Sequence, residues 1–390
     1  MNFNEIKAMD YKYQMNTYAK YDAALLSGNN AVITGEDGRE YIDFSSGIGV
    51  VSIGFGNDEW AHAVGAQAKQ LQHTSNLYYN QPSAMFSKEL CEKSGFSKVF
   101  LCNSGAEANE CAIKLARKYS FDKYGRGRDK IISLYNSFHG RTMAALTATG
   151  QEEFHQFFFP FNQGFDYMQA NDADSLNDIL NADDICAVII ELIQGEGGVC
   201  PLDTQYVKTL FNICKKRDIL LIVDEVQTGA GRTGYLYLSE YYGIEPNILT
   251  SAKGLGNGLP IGACLCDEKL KDVFTPGTHG TTFGANPVVC AGARVVLSHI
   301  DESLLKDVRE KGEYIRSKLY GIDEVKSVRG MGLMIGIELK TMTSKDAAQA
   351  AFKNGLLILT AKSLLRMLPP LTISYEEIDT GLSILKQSLK

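Results

Sequence analysis

Tryptophan occurs once in these 390 residues, proline nine times and histidine six times. No long apolar run is present. The longest stretches, such as Ile185 to Ile190, fall far short of the ~20 residues that cross a bilayer, so no contact with a membrane is expected. Cysteine is sparse and odd in number, nine in all, so it cannot pair fully within one chain and does not make a disulfide scaffold. Reduced thiols in a cytoplasmic protein are the expectation. Excess positive charge is also lacking. A formal net charge of −7 argues against sequence-independent binding to nucleic acid. The opening Met1-Asn2-Phe3-Asn4-Glu5 has none of the apolar core of a secretory leader.

Several common site motifs are missing as well. There is no Gly-Lys dipeptide and hence no Walker A loop, and neither HExxH nor GxSxG occurs. The histidines show no metal-ligand spacing, and Cys264-x-Cys266 is wrongly spaced for a zinc knuckle or a thioredoxin-like pair, so no metal is expected. Gly229 to Gly234 matches GxGxxG, but it begins several residues past the apolar run that ends at Val223. No obvious helix start follows it, which argues against a nicotinamide enzyme.

What is present is an ordinary globular balance, with 45% hydrophobic and 22% charged residues over a length suited to about two domains. The 37 glycines cluster at the ends of apolar runs, the pattern of turns that feed sites. The middle of the chain alternates strands and helices. Lys98 to Cys102 reads as a strand, followed by a helix with small or apolar residues at 108, 111, 112, 115, 116 and 119. Glu110 and Lys114 are spaced to pair on its other face. Further strands are expected at Ile131–Leu134, Cys186–Ile190, Ile219–Val223, Ile248–Thr250 and Ile261–Leu265, with a helix over 203–217. Strands apolar on both faces and separated by helices predict an α/β fold, its mostly parallel central sheet covered on both sides. After a helix near 303–320, alternation over Gly330–Leu339 predicts a half-exposed strand in a smaller α+β domain. The expected division is 1–48 as an N-terminal segment belonging to the small domain, 49–290 as the large domain and 291–390 as the small one.

Three features carry chemistry. Asn103-Ser104-Gly105-Ala106 sits between strand and helix, where exposed N–H groups and the helix dipole suit a phosphate. Asp224-Glu225 ends a buried strand at the edge where open α/β sheets bind ligands. Lys253, next to Gly254-Leu255-Gly256-Asn257-Gly258, can serve as an approachable amine nucleophile. Taken singly, each has a plainer explanation: a structural turn, a helix cap, a surface lysine. Taken together, a phosphate cradle, a buried carboxylate and a lysine match pyridoxal phosphate.

Asn103–Glu110 (NSGAEANE), Ser137–Thr142 (SFHGRT), Gln194–Val199 (QGEGGV), Val223–Gly234 (VDEVQTGAGRTG), Ser251–Gly262 (SAKGLGNGLPIG) and Gly280–Pro287 (GTTFGANP) resemble, in order and spacing, the class III pyridoxal-phosphate-dependent aminotransferases. The resemblance covers nearly the whole chain. It implies the fold type I architecture of such transferases, a homodimer with the active site at the subunit interface, and amino-acid biosynthesis in the cytoplasm.

Residue by residue, the resemblance implies that Lys253 holds the cofactor through its aldehyde and then shuttles the substrate proton. It has Asp224 pair with the pyridinium nitrogen and Phe138 stack on the ring. Gln227 would reach the ring oxygen, and Glu225 and Val226 belong to the same cofactor-binding stretch. Ser104, Gly105 and Ala106 would hold the phosphate, helped by Thr282 of the neighbouring subunit. Arg141 would bind the α-carboxylate of acetylornithine or the side-chain carboxylate of glutamate. Arg366 would take the glutamate α-carboxylate and would pair with Glu196 in its absence; Thr281 would also contact substrate. The implied reaction moves an amino group between N2-acetylornithine and 2-oxoglutarate, in arginine biosynthesis. Ornithine, succinylornithine, succinyl-diaminopimelate and 4-aminobutyrate are alternative donors, and an aminomutase is an alternative reaction. The chain departs from the family pattern at Gly54-Phe55-Gly56-Asn57-Asp58, and at Asn257, Ala285 and Leu192.

Overall fold

A computed structural model describes residues 1–390. Its middle layer is a seven-stranded sheet. In spatial order the strands are Lys98–Cys102, Gly262–Cys266, Ile248–Ser251, Leu220–Asp224, Ile185–Ile190, Lys130–Leu134 and Phe165–Met168. All pairs are parallel except the two made by Gly262–Cys266, which runs against both neighbours. Strands Ile185–Ile190 and Leu220–Asp224 are buried along their whole length. The cause is the two-residue alternation of a strand. Val188, Ile190, Leu221 and Val223 face a core shared with Tyr206, Val207, Leu210 and Cys214 of helix Thr204–Arg217. Ala187, Ile189, Leu220 and Ile222 face the opposite core, built with Cys111, Ala112, Leu115 and Ala116 of helix Gly105–Tyr124.

The predicted helical stripe at 108, 111, 112, 115, 116 and 119 is buried. The Glu110–Lys114 pair does not form. Glu110 instead accepts from the Thr142 hydroxyl at 2.6 Å and from the Ala144 and Ala145 N–H groups, capping helix Met143–Ala148. Lys114 turns to His279 at 2.8 Å. A helix N-terminus is the stronger magnet for a carboxylate than a solvated lysine.

Residue 290 lies inside helix Pro287–His299, whose Cys290, Ala293, Val296 and Leu297 share a core with Phe86 and Leu90 of helix Gln81–Ser94. The chain therefore leaves this layer after that helix. Beyond it, strands Val325–Met331, Met334–Leu339, Leu364–Met367 and Leu359–Ala361 form a second sheet in that order. The half-exposed strand expected at 330–339 is instead a hairpin. Its turn uses Gly332 at φ +53, where an added Cβ would lie 2.5 Å from the Thr233 carbonyl carbon. Its second strand is covered on both faces: Ile335, Ile337 and Leu339 pack with helices Glu302–Leu319 and Tyr375–Ser388, while Met334 joins the large-sheet core and Gly336 lies against Val199.

The N-terminal strands Leu25–Asn29, Val32–Gly35 and Glu40–Asp43 form a further sheet with Leu356–Leu357. Ala31 and Phe44 enter the C-terminal core. No helix is long and apolar enough to cross a membrane.

Candidate active site

A cavity of about 430 Å³ opens at the C-terminal ends of the parallel strands. Into it converge Ser104, Gly105, Ala106, Asn109, Phe138, His139, Arg141, Glu191, Asp224, Val226, Gln227 and Lys253.

Ser104 is the N-cap of helix Gly105–Tyr124, and its hydroxyl oxygen accepts from the Glu107 N–H at 3.2 Å. The Ser104 proton and the first-turn N–H groups of Gly105 and Ala106 have no intrahelical carbonyl to satisfy, so the end of the helix is an anion seat. Gly105 is required by crowding: a Cβ there would come 2.6 Å from Val226 Cγ1.

Asp224 ends its strand, almost fully buried. Its Oδ2 accepts from Asn109 Nδ2 at 2.7 Å and His139 Nδ1 at 2.8 Å, and its Oδ1 from the Val226 N–H at 3.0 Å. Asn109 is itself fixed, donating to the His139 carbonyl and accepting from the Thr250 hydroxyl, both at 2.8 Å.

Lys253 follows strand Ile248–Ser251 with a left-handed φ of +45, on a 3-10 turn that carries its side chain to the cavity. Its amine makes no hydrogen bond to the protein. Burial, reinforced by the Arg366 cation, holds its pKa below the usual lysine range, against the opposing pull of Glu196, Asp224 and Glu191. Glu191, directly after strand Ile185–Ile190, accepts from the Phe138 N–H at 2.8 Å and the Gly195 N–H at 3.3 Å. Burial pushes its carboxyl up to about 7, with His139 opposing.

The expected arginine pair is present in two different states. Arg366, 3% exposed, donates from Nη1 to Glu196 Oε1 at 2.6 Å and to Gln227 Oε1 at 3.1 Å, while its buried Nε has no partner. Burial disfavours the Glu196 anion, but the Arg366 guanidinium outweighs it and holds that pKa below the usual range. Arg141 is exposed, forms no ion pair, and lies 4.5 Å from the Phe154 ring centre and 5.6 Å from that of Phe138.

Five expected residues lie outside this cavity: Glu196 and Arg366, which face each other beside Gln227, and Glu225, Thr281 and Thr282. Glu225 points the other way: fully buried, it accepts from the Thr228 hydroxyl at 2.6 Å and the Ser239 N–H at 2.8 Å, organising the loop after the strand. Successive strand side chains alternate in direction, so Asp224 and Glu225 cannot share one pocket. Thr281 lines a neighbouring cavity, and its hydroxyl accepts from Asn103 Nδ2 at 3.2 Å. Thr282 is exposed beside it.

Asn109, His139, Glu191 and Phe154 were not expected at the site. Glu191 carries the same signal that marked Asp224, a carboxylate ending a buried apolar strand. Asn109 is a polar residue on the buried face of a helix. The family departures also find an explanation. Asn257 and Ala285 have φ of +48 and +62, the left-handed region that favours glycine. Asn257 Oδ1 accepts from the Ile53 N–H at 3.0 Å, and its Nδ2 donates to the Gly54 carbonyl at 3.3 Å. The altered turn beginning at Gly54 and the Asn257 replacement are thus in direct contact.

The residues present fit pyridoxal phosphate: a buried, unpaired amine with a lowered pKa, a carboxylate aimed by three donors, and a helix N-terminus free for a phosphate. An aminotransferase class-III family model matches residues 13–389, and the chain belongs to that family of pyridoxal-phosphate-dependent aminotransferases. Among its relatives, the acetylornithine aminotransferase of Haemophilus ducreyi is 50% identical over 390 residues, covering 100% of this chain and 99% of the relative. A crystallised ornithine aminotransferase from Toxoplasma gondii, with partial occupancy of pyridoxal phosphate at its active site, superimposes with a TM-score of 0.94 at 32% identity. That match covers 99% of this chain and 94% of the other. The N-acetylornithine aminotransferase of Stenotrophomonas maltophilia gives 0.84 at 33% identity, covering 98% and 97%.

Proposed function

We propose that the enzyme transfers the δ-amino group of N2-acetylornithine to 2-oxoglutarate, reversibly, within arginine biosynthesis, as a cytoplasmic homodimer. The observation that carries this reading is the inequality of the two arginines. Arg141 faces the cavity unpaired, while Arg366 is masked by Glu196 at 2.6 Å. A donor with one carboxylate needs only Arg141. Glutamate has two, and its α-carboxylate displaces Glu196 from Arg366. The names of the relatives support acetylornithine as the first donor. Ornithine is the second reading, favoured by the Toxoplasma likeness.

When bound, pyridoxal phosphate supplies an aldehyde for amines and an electron-withdrawing ring. Ser104, Gly105 and Ala106 bind its phosphate, joined by Thr282 of the neighbouring subunit, and Phe138 covers a ring face. Asp224 keeps the ring nitrogen protonated, a charge-assisted bond worth about 1.5–3 kcal/mol. Lys253, whose pKa burial holds below the usual lysine range, would hold the cofactor's aldehyde through its amine and, once released, would move the proton at the substrate carbon. Residues from 49 to the end of helix Pro287–His299 carry these groups, and the C-terminal part brings Arg366 to them.

The test is a half-reaction screen. The holoenzyme is mixed with single amines, and loss of the cofactor's visible band is followed. Rapid bleaching by acetylornithine and glutamate is expected, with slow reaction of ornithine. Inertness toward acetylornithine refutes the substrate; faster bleaching by ornithine favours the second reading.

A further inference from the structure

The two arginines differ in how they are held, and that difference extends the reading above, on which it rests. Arg366 is placed by polar partners, Glu196 and Gln227, which a substrate must displace. Arg141 is placed by aromatic rings. Phe154 closes the short turn Glu152–Phe154 and is half-buried, with its ring centre 4.5 Å from the Arg141 Cζ. It meets Phe138 edge-on at 5.6 Å and 67°, and the Arg141 Cζ lies 5.6 Å from the Phe138 ring centre, so the guanidinium is within reach of both rings. An aromatic face attracts a cation through its quadrupole, yet accepts none of its five N–H donors in the guanidinium plane. A guanidinium held this way keeps its fork free for a carboxylate while the ring contacts narrow the positions it takes up.

The geometry points to Phe154 as a positioning residue for substrate specificity: it holds Arg141 ready for the carboxylate common to acetylornithine and glutamate, without competing for the donors that bind it. Phe138 cannot serve alone, since it lies farther from Arg141 and its ring is committed to the cofactor. Phe154 is half-buried and belongs to none of the hydrophobic cores, so it is replaceable without collapse of a core.

The experiment compares wild-type holoenzyme, Phe154→Leu, Phe154→Tyr and Arg141→Ala on three amines. These are N2-acetylornithine, glutamate, and N-acetyl-1,4-diaminobutane, which is acetylornithine without its carboxylate. Phe154→Leu keeps the bulk and removes the π face. It is expected to raise KM for acetylornithine and glutamate by the same factor, roughly two- to fivefold, with kcat nearly unchanged. The carboxylate-free amine should be unaffected, and Phe154→Tyr should restore both KM values. Equal damage to all three amines, or failure of tyrosine to restore, overturns the proposal. If Arg141→Ala loses the preference for the carboxylated amine while Phe154→Leu keeps it, Phe154 alone is wrongly assigned. If Arg141→Ala keeps the preference, the carboxylate-binding role of Arg141 falls, and the proposal with it.

Discussion

Replacing Glu196 by alanine should change which substrate the enzyme prefers. In the resting protein Glu196 Oε1 sits 2.6 Å from Arg366 Nη1, and the arginine is 3% exposed. Glutamate can reach that guanidinium only by giving back the bond already there. A charge-assisted hydrogen bond is worth about 1.5–3 kcal/mol net, so removing the competitor should favour glutamate roughly ten- to a hundredfold. Acetylornithine, for which we propose Arg141 as the carboxylate partner, should gain nothing. The cost to the fold should be modest. Breaking a fully buried pair costs about 3–5 kcal/mol, but Glu196 is 28% exposed and Gln227 still accepts from Arg366 at 3.1 Å, so a loss of about 1–2 kcal/mol is expected. The assay is the ratio of kcat/KM for glutamate to that for acetylornithine, with thermal unfolding as the control. A ratio that moves less than twofold, or toward acetylornithine, refutes the gate.

Arg366→Ala should do the opposite, raising KM for glutamate at least tenfold and that for acetylornithine hardly at all; equal losses would count against the same gate. Lys253→Ala should abolish covalent retention of the cofactor, read as the absence of a borohydride-fixed adduct by intact mass; a surviving adduct would sink the assignment. Glu225 gives a pH prediction. Burial raises its carboxyl to about 7 from 4.5, so the folded protein holds that proton more tightly than the unfolded chain. Its contribution is fully present below pH 4.5 and is lost as pH rises toward 7. Glu225→Gln can satisfy both the Thr228 hydroxyl and the Ser239 N–H. Its stability relative to wild type should therefore rise between pH 5 and 8, by on the order of 2–3 kcal/mol in urea titrations; a flat difference would contradict the assignment.

The central sheet was legible because its strands are buried on both faces. Ile185–Ile190 has no polar residue to confuse the pattern, and helix Thr204–Arg217 carries its stripe openly. The N-terminal strands and those between Leu356 and Met367 were not read. They are two to five residues long, too short to show an alternation, and Leu356 pairs with Ile42 across most of the chain. No local period reports such pairings. At the site, Asp224, Lys253 and the Ser104 turn stood out because each ends an element beside glycine or a run of apolar residues. Asn109 and His139 did not, since a side chain that orients another side chain leaves no spacing of its own. Glu225 was misplaced by adjacency, its neighbour's role having been extended across a bond that reverses the side-chain direction.

Glu196 is, in effect, a tethered counterfeit of the substrate's own carboxylate, an inhibitor that can never diffuse away. On the proposed reading every dicarboxylic amino acid would have to displace it, whereas monocarboxylic donors would never meet it. If that reading holds, retuning such an enzyme toward new acceptors would begin with lengthening or slackening that one leash rather than with rebuilding the cavity.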